Sequence, residues 1–258
     1  MKGKLDLNLR DHLSIPERKK LYNERHFSEA ASRYDLATRA MSLGRDAAWK
    51  RCLVGALPAW PSPSCADLGC GTGDVTFLLA DKYPGGRVVG LDLVEPMLEV
   101  ARKRKRHRNV RFTRQDMCRT DFAGESFDIV TGSYALRNAP DLGRVFDEIR
   151  RILKPGGVAA FLDFAKPENP FLQTLQCRLL STWCGFWGFL LHRNREIHGY
   201  IAASLETFPD RTLLRKLLFE SGFDLNRSRL FYLGILELIV LRKRMEPQGR
   251  GPAPIPGS

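Results

Sequence analysis

At 258 residues, with 43% hydrophobic and 27% charged side chains, the chain is long and apolar enough for one large globular domain. Forty-one Lys and Arg against 29 Asp and Glu give a net charge of +12, which leaves an anionic membrane surface, nucleic acid or a merely basic background open as readings. Six cysteines without CxxC spacing exclude a disulfide framework and a zinc centre as expectations, and no 18-residue apolar run is present to span a bilayer.

In chain order, residues 1–26 are densely charged and expected to be loosely ordered. They lack the apolar run of a signal peptide, so the expected location is the cytoplasm, free or peripheral at a membrane surface. Phe27, Ala30, Ala31 and Tyr34 then recur at helical spacing up to Gly44. Trp49, Cys52, Leu53 and Leu57 repeat that spacing until the Pro61–Pro63 segment, so 27–60 reads as a helical cover. From residue 61 to 245 the rhythm changes. Strand-like runs at 65–69, 87–93, 110–116, 127–133 and 158–164 alternate with helical patterns at 74–82, 95–106 and 141–153. Such alternation predicts an α/β, doubly wound, mostly parallel sheet covered on both faces. Two runs at 223–231 and 234–242 predict a closing antiparallel pair. The Pro- and Gly-rich tail, 246–258, is expected to be disordered.

The informative segment is Asp67-Leu68-Gly69-Cys70-Gly71-Thr72-Gly73-Asp74, between a predicted strand and a predicted helix. Glycines at these positions let the backbone turn tightly and approach a ligand. A dinucleotide fingerprint would want a small residue where Asp74 stands. The D-x-G-x-G-x-G pattern instead resembles the S-adenosylmethionine (SAM) loop of class I methyltransferases. Asp92 ends the second predicted strand about 20 residues past Gly73, where an acid can accept from ribose hydroxyls. Asp116 ends the third, and Lys154-Pro155-Gly156-Gly157 precedes the fifth.

A closer resemblance follows from Ser133-Tyr134-Ala135-Leu136-Arg137-Asn138, Arg150–Gly157 and Leu162–Pro167. With Phe27, Ala31, Tyr34-Asp35, Met41–Gly44 and Trp49–Arg51, and with Tyr200–Leu205 near the C-terminus, they look like the ubiquinone/menaquinone C-methyltransferase family. The resemblance covers about residues 27–242. It implies a seven-stranded class I methyltransferase sheet, a lid near 168–206, SAM as cofactor and a prenylated quinol as acceptor. It places cofactor contacts at Asp67, Gly69, Gly71, Thr72, Gly73, Asp92, Asp116, Met117 and Ser133. Arg137, Asn138, Tyr34 and Tyr200 become the candidate catalytic residues, with Arg137 as an electrostatic stabiliser because a guanidinium is a poor base.

The stretch Leu36-Ala37-Thr38-Arg39 departs from the family's Met-Asn-Asp, and 170–199 is hard to match. Two alternatives therefore stand beside the quinol. One is a related enzyme methylating another small molecule; the other is a non-catalytic SAM-binding subunit of a membrane biosynthetic complex. The basic run at 102–114 and the greasy segment at 171–191 suit peripheral membrane contact, while a homodimer or core-covering role would also use the latter. Nucleic acid is disfavoured, since the basic run has no interleaved aromatics.

Overall fold

A computed structural model of the protein describes residues 15–192 and 196–245, with side chains described outside 188–199. The expectations for 1–14 and for the tail at 246–258 lie outside the described residues. Helix α1, Pro16–Ala30, takes up residues 16–26 of the segment read as loosely ordered from its charge. Pro16 presets the first helical turn, and Lys19, Asn23 and Ala30 are buried on one face. Tertiary docking of that stripe, rather than composition, decides its state.

Two short helices follow, α2 (Tyr34–Met41) and α3 (Asp46–Gly55). Strand β1 (Ser64–Leu68) leads to α4 (Asp74–Lys82), β2 (Arg87–Asp92), α5 (Glu95–Arg104), β3 (Val110–Arg114), β4 (Phe127–Ser133), α6 (Leu142–Ile152) and β5 (Leu153–Phe164). Helices α7 (Pro170–His192), α8 (Glu196–Thr207) and α9 (Arg211–Glu220) precede β6 (Phe223–Phe231) and β7 (Leu236–Lys243). The seven strands are ordered β3-β2-β1-β4-β5-β7-β6. Neighbours from β3 to β5 pair in parallel, while β7 inserts antiparallel between β5 and β6. The predicted closing pair thus becomes an inserted strand and an edge strand.

Core residues alternate along β5. Ala159 and Phe161 enter one cluster with Val145, Phe146 and Ile149 of α6 and Leu214 and Leu218 of α9. Val158, Ala160 and Leu162 enter the other with Val75 and Leu79 of α4 and Leu53 and Val54 of α3. Period-2 alternation with both faces buried is the mark of a sheet between two helical layers. Helix α3 therefore belongs to a layer of the sheet, leaving α1 and α2 as the cover proper.

Two differences from the sequence reading bear on the sheet edge and the β5 register. The third strand stops at Arg114, because its partner β2 ends at Asp92 in register with it; Asp116 instead forms an isolated bridge with Arg119. The Lys154–Gly157 segment is a bulge inside β5 rather than a turn before it. Phe127 pairs with Leu153 and Ile129 with Val158, so the extra residues loop out.

Because β1–β5 run the same way, the connections after them open on one edge of the sheet, where open α/β sheets bind ligands. The α1–α2 cover and the α7–α8 pair close over that edge.

Candidate active site

The glycine loop leaves β1 at Leu68 and turns at Gly69, whose φ is +59°. A Cβ there would meet the Ala135 Cβ at 3.1 Å, so both conformation and space demand glycine. At Gly71 (φ +54°) a Cβ would meet nothing within 4 Å; only the backbone conformation requires glycine, and the space beside it belongs to the pocket.

Asp92 fastens this loop. Its Oδ2 accepts from the Gly71 N–H at 2.8 Å and its Oδ1 from the Val94 N–H at 2.9 Å. Burial raises the Asp92 pKa, with those backbone donors opposing the rise. Asp116 accepts from the Lys20 Nζ at 2.6 Å and from the Cys118 N–H at 2.9 Å. Burial works against its charge, but the Lys20 ammonium and the Cys118 N–H prevail and hold the carboxyl below its ordinary range.

A pocket over this edge is lined by Gly69, Gly71, Asp92, Asp116, Met117 and Ser133, six of the nine expected cofactor residues. The other three face elsewhere. Asp67 is buried behind the loop, accepting from the hydroxyls of Thr76 at 2.7 Å and Thr131 at 2.9 Å, and burial pushes its pKa up to about 6. Thr72 donates its hydroxyl to Asp35 Oδ1 of α2 at 2.6 Å, so it ties the loop to the cover. Gly73 backs onto Phe77 and Phe112, away from the pocket.

The pocket residues fit SAM. With SAM bound, Asp92 would offer a carboxylate to the ribose diol, Leu91, Val94, Met97 and Phe27 would wall the base, and Asp116 would offer an acceptor to its exocyclic amine.

A second cavity, about 910 Å³ and mostly apolar, adjoins the first. All four expected catalytic residues line it, and Phe27, Tyr34, Tyr134 and Asn138 line both spaces. Arg137 is 3% exposed. Its guanidinium lies 5.2 Å from the Phe164 ring and 5.5 Å from the Tyr200 ring, hydrogen-bonded to Ser204 Oγ. Its backbone N–H donates to Asp163 Oδ2 at 3.1 Å. Tyr200 reaches in from α8, with its hydroxyl 2.5 Å from Asn23 Oδ1 and 3.0 Å from Asn138 Oδ1. Asn138 Nδ2 donates to the Tyr134 carbonyl and Asn23 Nδ2 to the Asn138 carbonyl, each at 2.8 Å. The side-chain amide of Asn138 is thus held by Tyr200 and the Tyr134 carbonyl and its backbone carbonyl by Asn23, while Tyr34 stands at the boundary of the two spaces.

The sequence reading missed Lys20, Asn23, Asp46, Lys50 and Tyr134. Asn23 had a signal, since it extends the Phe27, Ala30 and Tyr34 stripe back by four residues. The Asp46 hydrogen bond to Tyr134 had none, because the partners are 88 residues apart.

Residues 16–240 match the profile of the ubiE/COQ5 methyltransferase family. The demethylmenaquinone methyltransferase of Thermus thermophilus is 33% identical over 216 residues, 83% of this chain and 98% of that protein. The ubiquinone/menaquinone biosynthesis C-methyltransferase UbiE of Paracoccus denitrificans is 32% identical over 82% of this chain and 86% of that one. The 2-phytyl-1,4-naphtoquinone methyltransferase of Synechococcus elongatus is 34% identical over 83% and 94% respectively. Among solved structures, the methyltransferase in complex with the Haloferax volcanii Trm112 methyltransferase activator superposes with a TM-score of 0.63 at 18% identity, covering 85% of this chain and 98% of that one. The Haemonchus contortus phosphoethanolamine N-methyltransferase 2, solved with S-adenosyl-L-methionine, gives a TM-score of 0.60 at 16% identity, covering 77% and 53%.

Proposed function

The chain belongs to the ubiE/COQ5 methyltransferase family, and we propose that its acceptor is the reduced ring of a lipophilic quinol, methylated on a ring carbon. It is a SAM-dependent methyltransferase with the seven-stranded class I fold. The observation that carries the acceptor reading is the 910 Å³ apolar cavity meeting the cofactor pocket at Phe27, Tyr34, Tyr134 and Asn138. A small polar acceptor would not need such a space; a ring with an isoprenoid tail fills it.

Bound SAM supplies an electrophilic methyl carried on a sulfonium. The chain's own task is to hold a nucleophilic carbon in line, and such positioning is worth roughly 7–11 kcal/mol. Asn138 and Tyr34 stand at the boundary to hydrogen-bond the ring oxygen. Arg137, buried in the cavity wall, adds positive potential where phenolate charge develops. The apolar lining excludes water that would solvate that charge.

The cavity mouth also suits entry from lipid. Leu172, Leu175, Leu179, Trp183 and Phe186 recur at three- to four-residue spacing along the exposed face of α7. Leu43 and the fully exposed Leu233 stand beside them on turns that line the same cavity. No helix among the described residues is long and apolar enough to cross a membrane; α7, at 23 residues, would lie in the interface. The basic run contributes less than its charge suggests. Arg102 pairs with Glu95, Arg104 with Asp35 and Asp74, His107 with Asp81 and Arg114 with Glu24.

One kinetic comparison tests both statements. In detergent, KM is expected to fall about tenfold or more from a ring-only naphthoquinol to one with a prenyl tail, since each buried methylene is worth about 0.8 kcal/mol. Phe171, at the start of α7, is also exposed, and it does not line the cavity; with the tailed acceptor in anionic vesicles, Phe171→Asp/Phe186→Asp is expected to raise KM about tenfold while ring-only turnover in solution stays unchanged. Equal KM values across tail lengths would contradict the acceptor. A dimer that dissociates on the double substitution, with vesicle turnover unaltered, would assign the α7 face to a second copy instead.

A further inference from the structure

Transfer of a methyl to a ring carbon releases a proton: the hydroxyl must ionise to activate the carbon, and the ring hydrogen must leave afterwards. In an apolar cavity whose mouth faces lipid rather than water, that proton needs a path. Two titratable groups near the cavity are committed elsewhere. Asp163 is turned to backbone donors, with Oδ2 accepting from the Arg137 N–H and Oδ1 from the Phe164 N–H. Tyr200 is enclosed by Asn23 and Asn138.

Tyr134 differs. It follows Ser133 at the end of β4, touches both the cofactor pocket and the acceptor cavity, and holds a left-handed backbone (φ +56°) that side chains rarely adopt. Strain of this kind, about 1–3 kcal/mol, persists only where surrounding contacts enforce it. Here its hydroxyl donates to Asp46 Oδ1 at 2.9 Å. Asp46 is 7% exposed, and its Oδ2 accepts from Lys50 Nζ at 2.7 Å. Lys50, 5% exposed, also donates to Asp74 Oδ2 at 3.0 Å. Asp74 reaches solvent, its side chain 30% exposed and its Oδ1 paired with Arg104. A continuous hydrogen-bonded line thus runs from the place where the two spaces meet to the surface.

We propose that Tyr134 and Asp46 form the proton-transfer pair of the reaction, with Tyr134 touching the acceptor hydroxyl and Asp46, steadied by Lys50, receiving the proton through it. The statement rests on the hydroxylated-ring acceptor proposed above. In the step, the acceptor O–H breaks as a new O–H forms on Tyr134, whose own proton passes to Asp46 Oδ1. The acceptor is left as phenolate, and the tyrosine is neutral before and after. Burial, together with Asp46, raises the pKa of Tyr134; it therefore conducts a proton rather than standing as a phenolate base. Lys50 stays an ammonium, because Asp46 and Asp74 outweigh the opposing effect of its burial. The other charged or titratable groups bearing on the pair are Tyr34 from α2 and Asp163 from β5.

The experiment compares Tyr134→Phe, Asp46→Asn and their double variant with the intact enzyme, using a tailed naphthoquinol and saturating SAM. The expected result is a fall in kcat of about 100-fold for each single variant, within the usual reach of acid–base groups. SAM affinity by calorimetry and acceptor KM should stay within about threefold. The double variant should be no slower than the slower single one, the solvent deuterium isotope effect on kcat should rise, and Asp46→Glu should recover part of the rate. Wild-type kcat in Tyr134→Phe, or losses that multiply in the double variant, would overturn the proposal. So would parallel loss of SAM affinity, which marks a structural role. Failure of the intact enzyme on every hydroxylated ring would overturn the acceptor reading and this proposal together.

Discussion

Replacing Asp92 with alanine is expected to raise the Kd for SAM by about 100-fold or more, the largest single effect on cofactor binding at this site. The carboxylate faces the pocket while holding the Gly71 and Val94 N–H groups. Hydrogen bonds to a charged acceptor are worth about 1.5–3 kcal/mol each. Losing two to a ribose diol gives roughly 3–6 kcal/mol, at 1.4 kcal/mol per tenfold. The Gly71 N–H loses its partner as well, which loosens the loop. Asp92→Asn keeps an acceptor oxygen and should be affected less, by about tenfold. Calorimetric titration of both variants, with thermal melting to confirm the fold, measures this. An Asp92→Ala variant binding within a few-fold of the intact protein would remove Asp92 from the cofactor site.

Arg137→Met is expected to be the most destabilising of the site substitutions, with a pH signature. Arg137 and Asp163 are both buried, their side chains 4% and 8% exposed with Nε and Oδ1 3.9 Å apart. Removing one partner of a buried pair costs about 3–5 kcal/mol, because a charge is left uncompensated. Burial already raises the Asp163 pKa, and Arg137 is the strongest influence opposing that rise. Without it the folded-state pKa climbs further above the unfolded value. A carboxyl shifted that way contributes stability below its unfolded pKa and loses it as pH rises through the folded one. The Tm deficit of the variant should therefore be smallest in mild acid and widen toward neutral pH. Arg137→Met/Asp163→Asn should recover much of it. The kcat of the single variant should fall by about 100-fold or more through lost stabilisation of phenolate charge. A Tm deficit independent of pH would show that Asp163 is not what the guanidinium compensates.

The parts of the site that were legible in the sequence are those set locally. The glycines at 69 and 71 and the acid at the end of β2 follow from chain-level rules of turn geometry and strand periodicity, and all three line the pocket at the sheet edge. Thr72 sits in the same loop yet points to Asp35, a choice made by a helix far away in sequence. Charge was misleading where pairing was tertiary. Lys19 and Lys20 lie in a segment read as loose, but Lys19 is buried and Lys20 holds Asp116. Arg104, part of a run that looked like a free basic patch, joins Asp35, Asp74 and the Thr72 carbonyl. The acceptor cavity was beyond reach for the same reason. Its walls come from α1, α2, α7, α8 and the turn between β6 and β7, and no local pattern records how these elements converge.

The most direct test of the acceptor reading is the position of the transferred methyl. The intact protein would be incubated with methyl-labelled SAM and a reduced, prenyl-tailed naphthoquinol bearing one unsubstituted ring carbon beside a hydroxyl, and the product mapped by fragmentation mass spectrometry. One labelled methyl on that ring carbon is expected, with no transfer to the oxidised quinone. A labelled methyl ether, or no transfer at all while SAM binds normally, would contradict it.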